Sequence, residues 1–432
     1  MFIAAPASGQ GKTTVTAGIA RYFSQQGLCV RVFKTGPDYL DPQILEAASG
    51  NPVVQLDLWM AGLAYCKGQL YQAAQSADLI LIEGAMGLFD GKPSSADLAK
   101  AFNIPISILM DVKGMAQTAA ALFKGLAEFR QDIAIAGFIA NRCGSERHAD
   151  LIYQALDDKT PLLAALPRRP EIQLPERHLG LVQQFESQQE IEAALQAAAS
   201  WIAETPLSTL PKAISFDYQV PVQVEPLLLN KKIGVAKDAA FSFIYQANLD
   251  LLSAMGAKVH FFSPMADERI PDVDALWIPG GYPELYAEVL ASNKTMLNSI
   301  RQHFTAQKPI LAECGGLIYC VDVLTDMSGK NHNLLGLVPG RVHFRDRTGC
   351  QGMQSGEFDG GQIKGHAHHR SVLTTDCKPL VFGVRPFHPA PGEAIYQKNA
   401  LTASYLHWFF PSNPVAIGNL LSKSPREASN VA

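Results

Sequence analysis

Apolar residues fall along the first half of the chain in short runs, at 2–5, 29–33, 79–82, 106–110 and 133–139, each followed by a polar or glycine-bearing segment. Between several of them lie alanine-rich stretches of helical character, notably 15–26 and 115–129. Apolar strand-like runs alternating with helical stretches predict a parallel sheet with helices on both faces. The texture changes after residue 204. Pro206, Pro211, Pro221 and Pro226 interrupt a stretch with few helical signals, which reads as a linker. Strand-like runs then resume at 233–236, 258–262, 275–278 and 309–312. The expectation is an α/β chain of two domains, 1–204 and 231–432, joined by a linker over 205–230, with no solenoid-type repeat.

A length of 432 residues suits two cores better than one. With 47% hydrophobic and 18% charged residues, the chain reads as globular. Its net charge of −4, without a basic block, argues against a nucleic-acid partner. No apolar run is long enough to span a bilayer, so no membrane association is expected. The first five residues lack a positive n-region. Seven scattered cysteines with no C-x-x-C pair fit a reducing cytoplasm.

The first candidate chemistry lies in APASGQGKTT, residues 5–14. It ends like a phosphate-binding loop, although Pro6 stands where the pattern G-x-x-x-x-G-K-[ST] has its first glycine. Gly9 and Gly11 supply open backbone for phosphate oxygens, Lys12 the cation and Thr13 the hydroxyl for Mg²⁺. A strand precedes the loop and a helix comes after it, as a nucleotide site requires. Asp38 and Asp41, in KTGPDYLDP, are placed on a loop beyond the second strand, and Glu83 beyond the strand at 79–82. Open α/β sheets bind ligands at that edge. With Thr13, these three acids form the expected Mg²⁺ ligands.

The second lies in LAECGGL, residues 311–317, where a strand runs into a glycine-rich turn and then a helix. Such an elbow exposes Cys314 beside a helix N-terminus, which is expected to lower its pKa and make it a nucleophile. The Gly315 N–H and the glycine pair ending in Gly281 are candidate oxyanion donors. His407, at the end of a predicted strand, is the candidate base. His366, His368 and His369 crowd one segment. In a strand, the first two would share a face, and a cleft-lining strand is favoured over a metal site.

Taken together, SGQGKTT, KTGPDYLDP, EGAMGLFDG, NRCGSERH, PGGYPE, AECGGL and ASYLH occur in an order and spacing that closely resemble the cobyrinic acid a,c-diamide synthase family of corrinoid biosynthesis, over nearly the full length. The resemblance implies a dethiobiotin-synthetase-like P-loop domain joined to a class I glutamine amidotransferase-like domain. It implies a ligase that forms acyl phosphates from ATP on the a and c acetates of a corrinoid and amidates them with glutamine-derived ammonia. Gly9, Gln10, Gly11, Lys12, Thr13, Thr14 and Asn141 are then the expected ATP contacts. Tyr39, Leu40 and Asp90 match positions near the corrinoid carboxylates. Mg²⁺ is the implied metal. ATP, glutamine and a corrinoid are the implied partners, and a homodimer is the candidate assembly. The family's H-x-E reads His407-Trp408-Phe409 here, so the third member of the glutaminase triad is left unnamed. Competing readings are cobyric acid synthase, the related amidase of nickel-sirohydrochlorin, and a P-loop switch of partition type. The elbow thiol argues against the last.

Overall fold

A computed structural model describes residues 1–157, 161–174, 176–177, 180–181, 187–220, 223–345, 349 and 351–422. Two compact units emerge, Met1–Val222 and Gln223–Ala432.

In the first unit, seven strands form one parallel sheet: β1 (Phe2–Ala4), β2 (Val30–Thr35), β3 (Val54–Leu56), β4 (Leu79–Glu83), β5 (Ile106–Asp111), β6 (Ile135–Cys143) and β7 (Leu162–Pro167). Their order is β3-β2-β4-β1-β5-β6-β7. Successive side chains point to opposite faces, so each strand serves two cores. Ile3, Val32, Leu81 and Leu109 pack with Val15, Ile19 and Phe23 of helix α1 (Lys12–Gln25). Phe2, Ala4, Phe33, Ile82 and Ile108 fill the core on the other face. Strands β2 and β6 run past the last apolar residue of their motifs, taking in Lys34, Thr35 and Asn141. Their hydrogen bonding outlasts their apolar pattern. The loop expected around Asp38 and Asp41 is cut short: helix α2 (Leu40–Ser49) starts at Leu40 and places Asp41 in its first turn.

The second unit is built on a seven-stranded sheet. Its order is Lys258–Phe262, Lys232–Ala236, Ala275–Ile278, Ile310–Glu313, Leu401–Ser404, Ala394–Lys398 and Val381–Phe382. The first five strands run parallel, Ala394–Lys398 runs antiparallel to them, and Val381–Phe382 pairs antiparallel with Ala394–Lys398. A separate antiparallel sheet joins Gly352–Phe358, Gly361–Ala367 and Leu406–Trp408. The chain thus leaves one sheet at Ser404 and enters another at Leu406. No helix among the described residues is long and apolar enough to cross a membrane. The six described cysteines are free thiols, and Cys350 lies outside the described residues.

Candidate active sites

Register builds the first site. Strand β4 lies between β1 and β2, with Glu83 opposite Ile3 on one side and Lys34 on the other. Neighbouring strands stand about 4.8 Å apart, so the two charged side chains meet: Lys34 Nζ is 2.6 Å from Glu83 Oε1. The same ammonium lies 2.5 Å from Asp41 Oδ2 and 3.5 Å from Asp38 Oδ2. The Thr13 hydroxyl donates to Glu83 Oε1 at 2.9 Å. Thr13, Asp38, Asp41 and Glu83, expected from separate motifs, therefore come together, but around Lys34. Sequence reasoning missed that lysine. Its one signal was a lysine placed just before the Gly36-Pro37 turn, near the carboxyl end of its strand.

Burial pushes the Glu83 carboxyl up, although Lys34 opposes this. Burial and then Asp41 raise Asp38 to about 7. Burial acts most strongly on Asp41, in the same upward direction, but Lys34 and the Asp38 and Thr13 hydrogen bonds together hold that carboxyl low. Lys34 loses solvation yet is held well above its ordinary value by Glu83 and Asp41. Among the described residues, no three His, Cys, Asp or Glu side chains are arranged to hold a metal ion. Glu83 Oε2, however, is buried without a hydrogen-bond partner among the described residues. A carboxylate oxygen left free beside a hydroxyl and two further carboxylates fits a hard divalent cation.

The phosphate loop is shaped by glycine at two points. Gly9 and Gly11 adopt φ of 76° and 93°, and Gly11 caps α1. Lys12 spans the loop, donating from Nζ to Ala7 O at 3.2 Å and to Met86 O at 2.9 Å. Burial and then Lys34 lower its pKa. Gln10 braces the loop through Oε1, which accepts the Asp111 N–H at 2.8 Å. Asn141 donates Nδ2 to Gln10 O at 2.8 Å and accepts the Arg142 N–H. Its amide therefore supports the loop directly. Pro6 stands at a bend directly after Ala5, whose O accepts the Leu88 N–H at 2.7 Å. Thr14 is half-buried in the first turn of α1. Tyr39 is buried at the N-cap of α2, Leu40 is half-buried beside it, and Asp90 is exposed.

The second candidate site has the strand–turn–helix geometry of an elbow around Cys314. Cys314 comes directly after the strand Ile310–Glu313 and caps the helix Gly315–Cys320, with φ 45° and ψ −99°. For a residue other than glycine this conformation stores strain, of order 1–3 kcal/mol. Its N–H donates to Ser404 O at 2.7 Å. A Cβ on Gly280 would stand 3.4 Å from Cys314 Cβ and 2.8 Å from His407 Nδ1, so thiol and imidazole flank this one glycine. A Cβ on Gly315 would stand 2.9 Å from the Gly281 nitrogen. The two glycine turns are therefore closely apposed, bringing Gly281 and Gly315 together beside the thiol.

The thiol's pKa departs from expectation. Burial raises it, and Glu284 adds to the effect; the Gly315 N–H pulls the other way and loses. Burial, then His366, holds His407 well below the usual histidine range. The resting pair is a neutral thiol and a neutral imidazole, not a thiolate at a helix terminus. His407 lies within the strand Leu406–Trp408, directly opposite His366, and their rings stack with centroids 5.0 Å apart. The His366 strand ends at Ala367, so His368 does not share a face with His366 as expected. His368 is exposed and meets Gln351, whereas His369 reaches Glu393 at 3.0 Å and stacks on Tyr405.

Comparison with known proteins covers both units. Residues 1–182 match the model of the CobQ/CobB/MinD/ParA nucleotide binding domain. Residues 232–415 match that of the CobB/CobQ-like glutamine amidotransferase domain. The chain is 49% identical to a hydrogenobyrinate a,c-diamide synthase of Stutzerimonas stutzeri, over 98% of each chain. It is 48% identical to the protein of that name from Pseudomonas aeruginosa, over 98% of this chain and 97% of the relative. A cobyrinate a,c-diamide synthase of Herminiimonas arsenicoxydans is 45% identical, over 98% of this chain and 96% of the relative.

Proposed function

The chain belongs to the hydrogenobyrinate and cobyrinate a,c-diamide synthases, and from that premise we propose that it amidates the a- and c-acetate carboxylates of cobyrinic or hydrogenobyrinic acid, using ATP and glutamine. The observation that carries the reading is the joint presence of a phosphate loop with clustered acids and an elbow thiol flanking the same glycine as a histidine.

In the glutaminase unit, the Cys314 sulfur attacks the carboxamide carbon of glutamine. His407 takes the thiol proton during attack and returns it to the departing ammonia. Its depressed pKa keeps it unprotonated and ready for this. The neutral resting thiol means that charge develops only in the transition state, where the Gly281 and Gly315 N–H groups stabilise the oxyanion. Water then cleaves the thioester to glutamate and restores the thiol.

In the nucleotide unit, a substrate carboxylate oxygen attacks the γ-phosphorus of ATP and ADP leaves. Ammonia attacks the resulting acyl carbon and expels phosphate. Lys12, freed from the Ala7 and Met86 carbonyls, binds phosphate oxygens with the loop amides of 9–14. Thr13, Asp38, Asp41 and Glu83 would hold Mg²⁺, which neutralises phosphate charge when bound. Asn141 keeps the loop in shape near the base. Tyr39, Leu40 and Asp90 are assigned to the corrinoid side of the site, on family resemblance.

The test incubates the full chain with ATP, Mg²⁺, each corrinoid acid, and glutamine or ammonium, counting amides by mass. Two added amides are expected. Cys314→Ala should lose the glutamine-driven reaction and keep the ammonium-driven one. No amide gain on either acid would refute the assignment.

A further inference from the structure

His407 sits on a strand that belongs to a different sheet from the thiol's strand. On one side Leu406–Trp408 pairs with Gly361–Ala367, and the Phe409 N–H continues the pattern by donating to Lys364 O at 2.8 Å. In an antiparallel pair, alternate residues bond to that neighbour, so the peptide groups of Trp408 face away from it. On that open side two buried side chains take the place of a strand. Glu313 Oε1 accepts the Trp408 N–H at 3.3 Å. Asn248 Nδ2 donates to Trp408 O at 2.9 Å, and its Oδ1 accepts the Phe410 N–H at 2.8 Å. Both residues are 1% exposed.

We propose that Glu313, acting alongside Asn248 on the same strand edge, is a positioning residue for the glutaminase, fixing the backbone of His407 relative to Cys314. The inference rests on the glutaminase reading above. Glu313 is covalently next to Cys314, and Trp408 next to His407. One hydrogen bond therefore closes a short circuit between nucleophile and base, each one Cα step of about 3.8 Å from a bonded residue. Burial drives the Glu313 carboxyl well above its usual range. It therefore acts as a neutral acceptor; an anion there would oppose thiolate formation. A glutamine side chain offers the same acceptor.

The experiment compares Glu313→Gln and Glu313→Leu in the full chain. It measures glutaminase kcat, KM and pH profile, with ammonium-driven amidation as the control for folding. Leucine should lower glutaminase kcat about tenfold or more, through misplacement of the base, with KM for glutamine and the ammonium reaction little changed. Glutamine should restore kcat to within about threefold of the parent, on an unchanged pH profile. An unimpaired Glu313→Leu overturns the proposal, as does a change confined to KM. So does a Glu313→Gln as damaged as leucine, which would mark an ionised triad acid. If leucine also abolishes the ammonium reaction, the glutamine variant decides alone: retained kcat supports the proposal, lost kcat overturns it. If Cys314→Ala leaves glutamine hydrolysis intact, the glutaminase reading itself fails, whatever Glu313 does.

Discussion

Gly280→Ala tests the geometry of the thiol–imidazole pair directly. The new Cβ would stand 2.2 Å from His407 Cε1, 2.8 Å from His407 Nδ1 and 3.4 Å from Cys314 Cβ. Its three nearest neighbours are thus all atoms of the proposed catalytic pair. The Cβ is anchored to backbone, so the imidazole has to give way, by about 1.2 Å to reach a contact of 3.4 Å. The ring cannot swing aside freely. It is buried, stacked on His366, and has Phe243 5.9 Å away between ring centroids. A misplacement of about 1 Å costs on the order of 10²-fold in rate, or about 2.7 kcal/mol in the barrier. Glutamine hydrolysis, measured as glutamate release, should fall by about that factor, chiefly in kcat. Ammonium-driven amidation, which does not use the pair, should persist. Glutaminase activity within about threefold of the parent in a folded Gly280→Ala would refute the reasoning, because the base would then have room that the packing denies it.

Three further perturbations address charge and loop support. Lys34→Met strips the shared cation from Glu83, Asp41 and Asp38; breaking a buried pair costs about 3–5 kcal/mol, so the urea midpoint of the first unit should drop, and millimolar Mg²⁺ should recover part of the loss. Glu284 has a folded pKa of about 7, raised by burial from an ordinary value of 4.5. The folded chain thus holds a proton that the unfolded chain loses between those values, and this group's contribution makes stability fall as pH rises from 4.5 to 7, then level off. Glu284→Gln should flatten that slope in denaturation curves. It should also speed alkylation of Cys314 at about pH 8, by removing an anion that raises the thiol. Asn141→Ala removes the bond to Gln10 O, which should raise the KM for ATP severalfold while leaving glutamine hydrolysis untouched.

The parts legible in the sequence were those whose chemistry is local. A phosphate loop announces itself because glycine, lysine and threonine must be consecutive between a strand and a helix. An elbow thiol does so because small residues must come directly after it. The pKa of that thiol was misjudged because only one of the opposing effects is local. The Gly315 amide can be read from the motif, whereas the burial and the Glu284 carboxyl that overcome it arise from tertiary packing.

Lys34, Glu313 and Asn248 escaped for one shared reason. Each looks ordinary in its own segment: a lysine at a strand end, an acid before a nucleophile, an amide within a helix. Each gains its role from strand order. Lys34 meets Glu83 because β2, though distant in sequence, lies beside β4 and pairs with it in register. Glu313 and Asn248 matter because Leu406–Trp408 turns one edge to Gly361–Ala367 and, among the described residues, has no strand on the other. A buried N–H or C=O with no partner is costly, so some side chain must meet that open edge. Knowing the neighbours of the His407 strand was therefore enough to require a brace there. A motif holds no such information, because it records a residue's neighbours along the chain and not those across the sheet from it.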